Sequence, residues 1–446
     1  MISKVELTDE KIINYSGIKI INDLLNTTNL KARLDESHKY YATRKSEVIY
    51  TQIALLCLGK TDFDNINIFK EDETYKEIMD FSKSIPEATY RQNLDKMAKD
   101  ENIEKILLEE NIRMLKNNNA KLTSCYKEYL PLDIDVTPLD NSDSKKEGVS
   151  WTYKKFMGYA PIMAYLGEEG YLINTELREG SQHCQSGTKE FLKETIKYAK
   201  SLTEKQILAR MDSGNDSLEN VYICHQEETK SDYIIKRNLR KESLEDWYET
   251  AIRTKEKEVL SDKRDEYFGY KTVERKIETE EGKEETLTLK IAFHVKKIKE
   301  KKGQKLLIPE IEVDTYWTSL SEGAETIVKL YNNHGTSEQF HSEIKSDMDI
   351  ERLPSSHFDT NYLFFQLGMV AYNILRLIGQ KSLEETDTPL KTKVERRRIR
   401  TIMQNIMYLA SKVIKHARKI VMKISKGNAW ANTFLRLEKT FAISTA

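Results

Sequence analysis

The 446-residue sequence has few cysteines, almost no net charge and no long uninterrupted apolar run. Its cysteines are scattered without a Cys-x-x-Cys pair, which favours reduced thiols in a cytosol over a disulfide framework or a zinc site. The longest apolar stretch, residues 362–379, is interrupted by polar residues, so we predict a buried helix and no membrane span. No secretory signal opens the chain, and we therefore expect a cytoplasmic, globular protein.

The near-zero net charge hides an uneven distribution. Between Lys391 and Lys426 there are twelve Lys or Arg residues against the single acid Glu395, a local charge of +11. The formal net charge of the whole chain is −1, so the remainder carries about −12. The basic charge is concentrated at one end, where we predict a helical region from residue 386 to residue 446.

The first 125 residues show apolar residues at three- and four-residue steps, which predicts helices. The segments with this pattern are residues 12–25, 46–58, 75–81, 89–97 and 103–115. Such a helical region could bind DNA, with residues 89–96 as a recognition helix. It could equally pack on the rest of the chain or on a second subunit, and the sequence leaves both interpretations open.

The next region changes from helical to strand periodicity. Residues 130–137 alternate apolar and polar side chains, which predicts a strand with Asp133 and Asp135 on one face. Residues 151–166 and 171–178 are rich in aromatic and β-branched side chains and are separated by Gly-Glu-Glu-Gly. They predict a hairpin that continues the same sheet.

A helix and a further strand follow this hairpin. Residues 188–202 predict an amphipathic helix, and residues 206–211 an apolar strand that ends at Asp212 in an Asp-Ser-Gly turn. Asp216, four residues later, is better suited to capping a helix. An aspartate therefore stands at the end of each of two predicted strands.

Residues beyond 225 predict short strands between strongly charged runs, and then helices. One run, residues 296–302, could form a loop that contacts phosphate or could simply be solvated. The predicted division is a helical DNA-binding or packing domain at 1–125, a core in two parts at 126–225 and 318–385, a β-rich insertion at 226–317, and the basic helical region at 386–446.

A polar stripe runs along residues 331–345, at a spacing that is normally apolar. The residues that share one face of a helix here are Tyr331, His334, Glu338 and Lys345. Such groups are poorly suited to a core, so the face is either simply solvated or a nucleic-acid groove with a metal-binding carboxylate. Thr336 and Gln339 form a possible capping box, which predicts a helix restart with Glu338 in its first turn.

The spacing of these four residues resembles the Tyr-(2)-Arg-(3)-Glu-(6)-Lys signature of DDE insertion-sequence transposases, which are cut-and-paste enzymes with an RNase H-like core. His334 stands where that family carries Arg. The resemblance implies two upstream catalytic aspartates. It selects Asp135, which lies in an Asp-x-Thr context, over Asp133, and it matches Asp212; Asp133 and Asp216 remain alternatives. Glu343 and Asp347 could compete with Glu338, but the spacing favours Glu338.

The resemblance implies an α+β or α/β fold, with an RNase H-like mixed sheet flanked by helices, a mostly β insertion and helical terminal regions. The implied catalytic and metal-binding residues are Asp135, Asp212 and Glu338. Three carboxylates suit Mg²⁺, with Mn²⁺ as a substitute, and two such ions can support an in-line phosphoryl transfer. By the same resemblance, Tyr331, His334 and Lys345 contact DNA.

The function implied is that of a DNA transposase. Such an enzyme binds the terminal inverted repeats of its insertion element, cleaves DNA and joins the 3′-hydroxyl ends to target DNA. The implied partners are double-stranded DNA and a second copy of the chain in a synaptic complex. The location would be the bacterial cytoplasm, at the nucleoid when bound to DNA. The alternatives are a transposase-derived endonuclease and a non-catalytic DNA-binding protein.

Overall fold

The computed structural model describes residues 4–36, 43–279, 282–391, 393–416 and 419–443, in which helices surround a nine-stranded mixed sheet. The helices are α1 (Ile18–Asn26), α2 (Leu30–Asp35), α3 (Lys45–Cys57), α4 (Glu73–Met79), α5 (Glu87–Met97), α6 (Glu101–Asn117), α7 (Thr188–Leu202), α8 (Leu218–His225), α9 (Leu244–Thr254), α10 (Ala324–Asn332), α11 (Ser337–Ser342), α12 (Phe358–Lys381), α13 (Ile399–Ile402) and α14 (Ala431–Ile443). The strands are β1 (Ile12–Ile13), β2 (Tyr129–Val136), β3 (Leu139–Asp140), β4 (Ser150–Trp151), β5 (Met157–Tyr159), β6 (Ile162–Leu166), β7 (Tyr171–Glu176), β8 (Gln206–Met211), β9 (Asp232–Lys236), β10 (Lys255–Leu260), β11 (Arg264–Glu278), β12 (Glu284–Lys301), β13 (Gln304–Thr318), β14 (Ser411–His416) and β15 (Lys419–Ile424). The fold is thus α+β with a large mixed sheet.

One side of this sheet, from the edge strand β7 inward, has the strand order β7-β6-β2-β8-β9. β2, β6 and β7 form an antiparallel meander, which confirms the hairpin predicted around the Gly-Glu-Glu-Gly turn. β8 and β9 both run parallel to β2, and the last residues in register between β2 and β8 are Ile134 and Met211. The next residue of each strand is an aspartate. The parallel register therefore brings Asp135 and Asp212 side by side at one edge of the sheet.

The strands after β9 extend this same sheet instead of forming a separate body. β13 pairs with β9, and β12, β11 and β10 follow outward in antiparallel order. Asp232–Lys236, which the sequence pattern groups with the insertion, pairs with β8 in the middle of the sheet. The lysine run at 296–302 lies largely in β12, so the expectation of a loop there is wrong. The domain boundaries themselves stay predictions.

Residues 151–166 do not form the single strand expected from their composition. The chain instead makes a small sheet of β3, β5 and β4 before β6 enters the large sheet. A tight turn at Lys155, whose φ is +65°, ends the first segment. At Gly158 the backbones approach so closely that an added Cβ would lie 2.0 Å from the carbonyl oxygen of Leu139.

The buried helix α12 packs against α3, α6 and β7 at the centre of the protein. Within the described residues it is the one helix long and apolar enough to cross a membrane, and it is buried in the protein core, as the interrupted apolar stretch predicts. Its polar Asn373 donates to Leu172 O at 2.7 Å and to Asn111 Oδ1 at 2.9 Å. Helix α5, the candidate recognition helix, packs on α3 and α12 through one face, and a DNA role for it stays a prediction.

The basic C-terminal region is only partly helical, so the prediction of a helix from residue 386 onward is wrong for its middle. β14 and β15 form an antiparallel hairpin that adds β1 on its other side. The reason is local, since Ser411–Ile424 contains five β-branched residues, which favour strands: Val413, Ile414, Ile420, Val421 and Ile424. Helix α14 then packs against α1.

Candidate active site

A cleft of about 760 Å³ opens at the carboxyl ends of β2 and β8. The predicted site residues that line it are Asp135, Asp212, Tyr331, His334, Glu338 and Lys345. These six residues come from three segments of the chain separated by gaps of 77 and 126 residues between the acids. The structure therefore brings these six predicted site residues to one place.

Asp135 is a carboxylate held in an unfavourable environment. Its Oδ1 accepts a hydrogen bond from Val136 N at 2.8 Å, and its side chain is 21% exposed. Burial, together with the neighbouring charge of Asp212, raises the pKa of Asp135 to about 6. His341 Nδ1 lies 3.7 Å from Asp135 Oδ2 but gives little compensation, because burial and the charge of Lys345 lower the pKa of His341 to about 3. The site thus has unneutralised negative charge.

Asp212 follows β8 and begins the short 3₁₀ turn Ser213–Asn215. Its Oδ1 accepts hydrogen bonds from Gly214 N at 3.1 Å and from Asn215 Nδ2 at 2.9 Å. Both contacts fall on one oxygen and fix the orientation of the carboxylate. The Asp-Ser-Gly turn noted in the sequence therefore positions this side chain at the cleft.

Glu338 reaches the cleft from a helical segment of mixed geometry. Helix α10 is followed by a 3₁₀ turn at Asn333–Thr336, by α11, and by a π-helical turn at Glu343–Asp347. The predicted helix restart is confirmed, since α11 begins at Ser337 with Glu338 in its first turn. Glu338 is exposed and free to reach a ligand in the cleft. Changes between helix types are common where side chains are aimed at a functional site.

Asp133 is committed to a buried ion cluster instead of the cleft. Its oxygens accept hydrogen bonds from Arg210 Nε at 2.6 Å and Nη2 at 2.8 Å, and His334 Nδ1 lies 3.0 Å from Oδ1. Despite complete burial, these cations lower the pKa of Asp133 to about 2. Asp133 is absent from the cleft lining, so the structure favours Asp135 as the residue facing the cleft.

His334 lines the cleft, but only 6% of it is exposed. Burial alone would lower its pKa, yet the carboxylates of Asp133 and Asp135 outweigh that effect and raise it. Arg210 Nη1 also donates to Leu330 O at 2.8 Å, so this cluster ties β2, β8 and the end of α10 together.

Tyr331 and Lys345 flank the acids on the two sides of α11. The ring of Tyr331 lies 4.8 Å from that of Tyr316, and burial, with the charge of Asp212, raises its pKa. Lys345 Nζ donates to Pro138 O at 2.5 Å, and burial lowers its pKa. Both side chains are half-buried and present a polar group to the cleft.

The alternative acids are each occupied elsewhere. Asp216 accepts Trp317 Nε1 at 2.8 Å and Asn238 N at 3.0 Å, and the cap of α8 is Ser217, so the predicted capping role for Asp216 is wrong. Glu343 is buried against Arg376. Asp347 forms an ion pair with Arg398, with distances of 2.6 and 2.9 Å.

The three carboxylates fit a hard divalent cation by donor type and by charge. All offer oxygen ligands, and burial of Asp135 beside Asp212 leaves a negative charge that a cation would relieve. Among the side chains that the structure describes, no group of three or more His, Cys, Asp or Glu residues is already arranged to hold a metal ion. Exposed Glu338 is the acid with the most freedom to move toward the other two.

Sequence analysis missed other residues that line the cleft, including Tyr153, Lys154 and His341. Tyr153 and Lys154 belong to the turn between β4 and β5, more than fifteen residues beyond Asp135. The available signal was Trp-Thr-Tyr-Lys-Lys, which combines aromatic rings at period two with lysines. His341 is buried, and nothing in the local sequence indicates that it approaches Asp135.

A second groove of about 700 Å³ lies on the other side of α11 and shares Glu338 with the first. Arg396 and Arg398 line it. Arg396 donates to Gln339 and lies over the ring of Phe340 at 4.6 Å, while Arg398 is held by Asp347. The basic C-terminal region thus contributes guanidinium groups next to the cleft.

Comparison with known proteins gives one family match and a distant structural likeness. The family model described as Transposase DDE domain group 1 matches residues 6–444. The chain is also similar to the cryo-EM structure of a piggyBac transposase synaptic complex with hairpin DNA, with a TM-score of 0.44 and 10% identity, over 88% of this chain and 78% of that chain. None of the curated proteins compared matches.

Proposed function

We propose, from the premise that this chain belongs to the Transposase DDE domain group 1 family, that it cuts the ends of its own insertion element and joins the 3′-hydroxyls to target DNA. The family match extends over nearly the whole chain and makes the protein a DDE transposase. The observation that supports the finer proposal is the meeting of Asp135, Asp212 and Glu338 at one cleft, beside Tyr331 and Lys345.

We propose that the central part of the protein has an RNase H-like fold. The strand order β7-β6-β2-β8-β9, with an antiparallel meander followed by two strands parallel to the first, supports it. Acids at the ends of β2 and β8 and a third acid on a later helix complete the arrangement that the fold uses. Helices α3, α6 and α12 pack against this part of the sheet or against each other.

Asp135, Asp212 and Glu338 would hold Mg²⁺ or Mn²⁺, which supplies Lewis-acid stabilisation of the phosphoryl group and of the oxygens that attack and leave. The chain's own contribution is orientation. The 3₁₀ turn fixes Asp212 through Oδ1, and Val136 N fixes Asp135. Because the acids only hold the divalent cation and balance its positive charge, the same site can accept water for cleavage and a 3′-hydroxyl for joining.

Tyr331 and Lys345 are proposed to contact the DNA backbone next to the scissile phosphate. Lys345 would act as a point charge, and the Tyr331 hydroxyl as a hydrogen-bond donor kept protonated by its raised pKa. His334, paired with Asp133, adds a raised-pKa imidazole at the back of the cleft. We propose that it contacts DNA from this position, where an arginine would have to share Asp133 with Arg210.

The partners of this activity would be double-stranded DNA, as terminal inverted repeats and as target, and a second copy of the chain. The proposed location is the bacterial cytoplasm, at the nucleoid when DNA is bound. The alternatives are an endonuclease without strand transfer and a DNA-binding protein without catalysis. They differ from the proposal in their products, which one assay can separate.

The test uses the DNA that flanks the gene as substrate. We expect the purified chain with Mg²⁺ to cleave duplexes that carry the element ends and to join them to a plasmid. Asp135→Asn, Asp212→Asn and Glu338→Gln should each lose at least about 100-fold in cleavage rate, whereas Asp140→Asn, an exposed acid outside the cleft, should not. Cleavage without joined products would favour the endonuclease. DNA binding with no cleavage under any divalent cation would favour the non-catalytic protein.

A further inference from the structure

The end of β4 and the turn that follows it present two large aromatic side chains to solvent, and one of them, Tyr153, lines the cleft. Trp151 is 60% exposed and Tyr153 is 62% exposed, although rings of this size usually bury most of their surface. Thr152, between them, is 2% exposed. Trp151 is the last residue of β4, and Tyr153 follows it two residues later in the turn that the bond from Lys155 N to Thr152 O closes.

Tyr153 is anchored to the strand that carries Asp135. Its hydroxyl donates to Val136 O at 3.0 Å, and Val136 directly follows that acid. Burial around the hydroxyl, with the charges of Asp135 and Asp212, raises the pKa of Tyr153. The polar end of the ring thus lies at the candidate catalytic carboxylates, while most of the side chain remains open to a ligand.

The turn that holds these rings is fixed before any ligand arrives. Thr152 N and Oγ1 both donate to Phe156 O at 2.9 Å, and Lys155 N donates to Thr152 O at 2.9 Å. β5 is in turn held against β3 through the close approach at Gly158. A rigid turn loses little conformational freedom on binding, so the exposed rings are preorganised.

Two lysines follow Tyr153 in the turn. Lys154 and Lys155 are both exposed, and Lys154 Nζ lies 6.0 Å from the centroid of the Tyr153 ring. Aromatic faces next to ammonium groups match a nucleic-acid strand whose bases are unpaired, since the bases can stack while the lysines neutralise phosphates. A fully paired duplex offers no free base face except at its end.

We propose that Trp151 and Tyr153 form a stacking platform for an unpaired nucleobase of the DNA strand that enters the cleft, with Lys154 on a neighbouring phosphate. The inference rests on the proposed function for the identity of the ligand. It assigns to the β4–β5 turn the recognition of strand ends that are frayed or opened next to the cut.

The experiment measures binding of the full chain in EDTA, so that cleavage plays no part. Fluorescence anisotropy compares a duplex that has paired ends with the same duplex carrying three unpaired nucleotides at the cut site. Stacking contributes a factor of roughly 5 to 150 in affinity per base. We expect Trp151→Ala and Tyr153→Ala to lose about that factor for the unpaired end and little for the paired one.

Two further variants separate stacking from damage to the fold. Tyr153→Phe keeps the ring and loses only the bond to Val136 O, so it should keep most of the preference for unpaired ends. Leu307→Ala removes another exposed apolar side chain, on β13, and should change neither affinity. 2-Aminopurine at the unpaired position should be quenched on binding by the wild type and by Trp151→Phe.

Three results would overturn the inference. The first is that the alanine variants and the wild type bind unpaired ends with equal affinity. The second is that the variants lose the same factor of affinity for paired and unpaired ends. The third is that only self-association changes, which would indicate a protein interface. The inference and the proposed function fail separately. A chain that prefers unpaired ends but never cleaves refutes the function only, and one that cleaves without this preference refutes the platform only.

Discussion

Replacing Asp133 and Asp135 by asparagine should change the stability of this protein in opposite directions, although both lie on one face of β2. Asp133 is buried and doubly hydrogen-bonded to Arg210, which is 1% exposed. Arginine stays charged even when buried. Removing one partner of a buried pair leaves the other uncompensated, at a cost of about 3–5 kcal/mol. We expect Asp133→Asn to lower the free energy of unfolding by that amount.

The ionised form of Asp135, in contrast, is destabilised by folding, because burial and the charge of Asp212 raise its pKa from 3.8 to about 6. The folded state binds this proton more tightly than the unfolded state, so its ionisation removes stability as the pH rises from about 4 to 6. A shift of about two pKa units corresponds to about 3 kcal/mol, which is an upper bound for a side chain that is 21% exposed. Asp135→Asn should therefore stabilise the protein by about 1–3 kcal/mol at pH 7.5, and by about half as much at pH 5.

Urea unfolding followed by tryptophan fluorescence, in EDTA at both pH values, measures these differences. Asp140→Asn, an exposed acid beyond the end of β2, is the control and should stay within about 0.5 kcal/mol of the wild type. The reasoning is refuted if Asp133→Asn is as stable as the wild type. It is also refuted if Asp135→Asn destabilises the protein at pH 7.5, because the carboxylate would then be stabilised by its surroundings.

Three further measurements test other parts of the structure. His334→Ala should lower the free energy of unfolding by about 1.5–3 kcal/mol near pH 6 and by less near pH 9. A pKa that is raised in the folded state gives stability that is present below the pKa of the unfolded state and is lost as the pH rises through the pKa of the folded state. An equal loss at both pH values would contradict the pairing of His334 with Asp133. Gly170→Ala should destabilise the protein by about 2–4 kcal/mol, since its φ is +71° and the added Cβ would lie 2.2 Å from an aromatic ring of α11. Gly282→Ala, where φ is +74° but the space around the Cβ is open, should destabilise it by only about 1–2 kcal/mol in the same unfolding assay. Replacing exposed Lys419 and Lys423 by glutamine should reduce the slope of log affinity for DNA against log salt by about two, and an unchanged slope would mean that β15 does not contact DNA.

The central strands and the acids at their ends could be predicted from sequence because the information is local. A period of two defines β2, an apolar run defines β8, and an aspartate follows the end of each parallel pairing. The helical restart before Glu338 was likewise visible as a capping pattern. The family resemblance, carried by four residues, is confirmed by the match over residues 6–444.

The errors arise where tertiary contacts decide. Alternation alone places Asp133 and Asp135 on the same face, so the choice of Asp135 depended on the family resemblance. The contact that holds Asp133 away from the cleft comes from Arg210, 77 residues later. The raised pKa of His334 depends on the same buried partner. The hairpin β14–β15 was not predicted because its lysines were interpreted only as charge, although the β-branched residues among them favour strands.

The pairing of β13 with β9 has a consequence for how the chain is made. Tyr316 pairs with Lys236 across 80 residues, so β9 has no partner on that side until the whole insertion has been synthesised. A strand with an open edge is a template for pairing with other chains, and such long-range pairing is slow. During translation, the apolar Tyr233–Ile235 segment would remain without its β13 partner while β10, β11 and β12 are synthesised. Expression at lower temperature, or with chaperones that shield open edges, should therefore raise the soluble yield more for this chain than for a version in which β9 is the last strand.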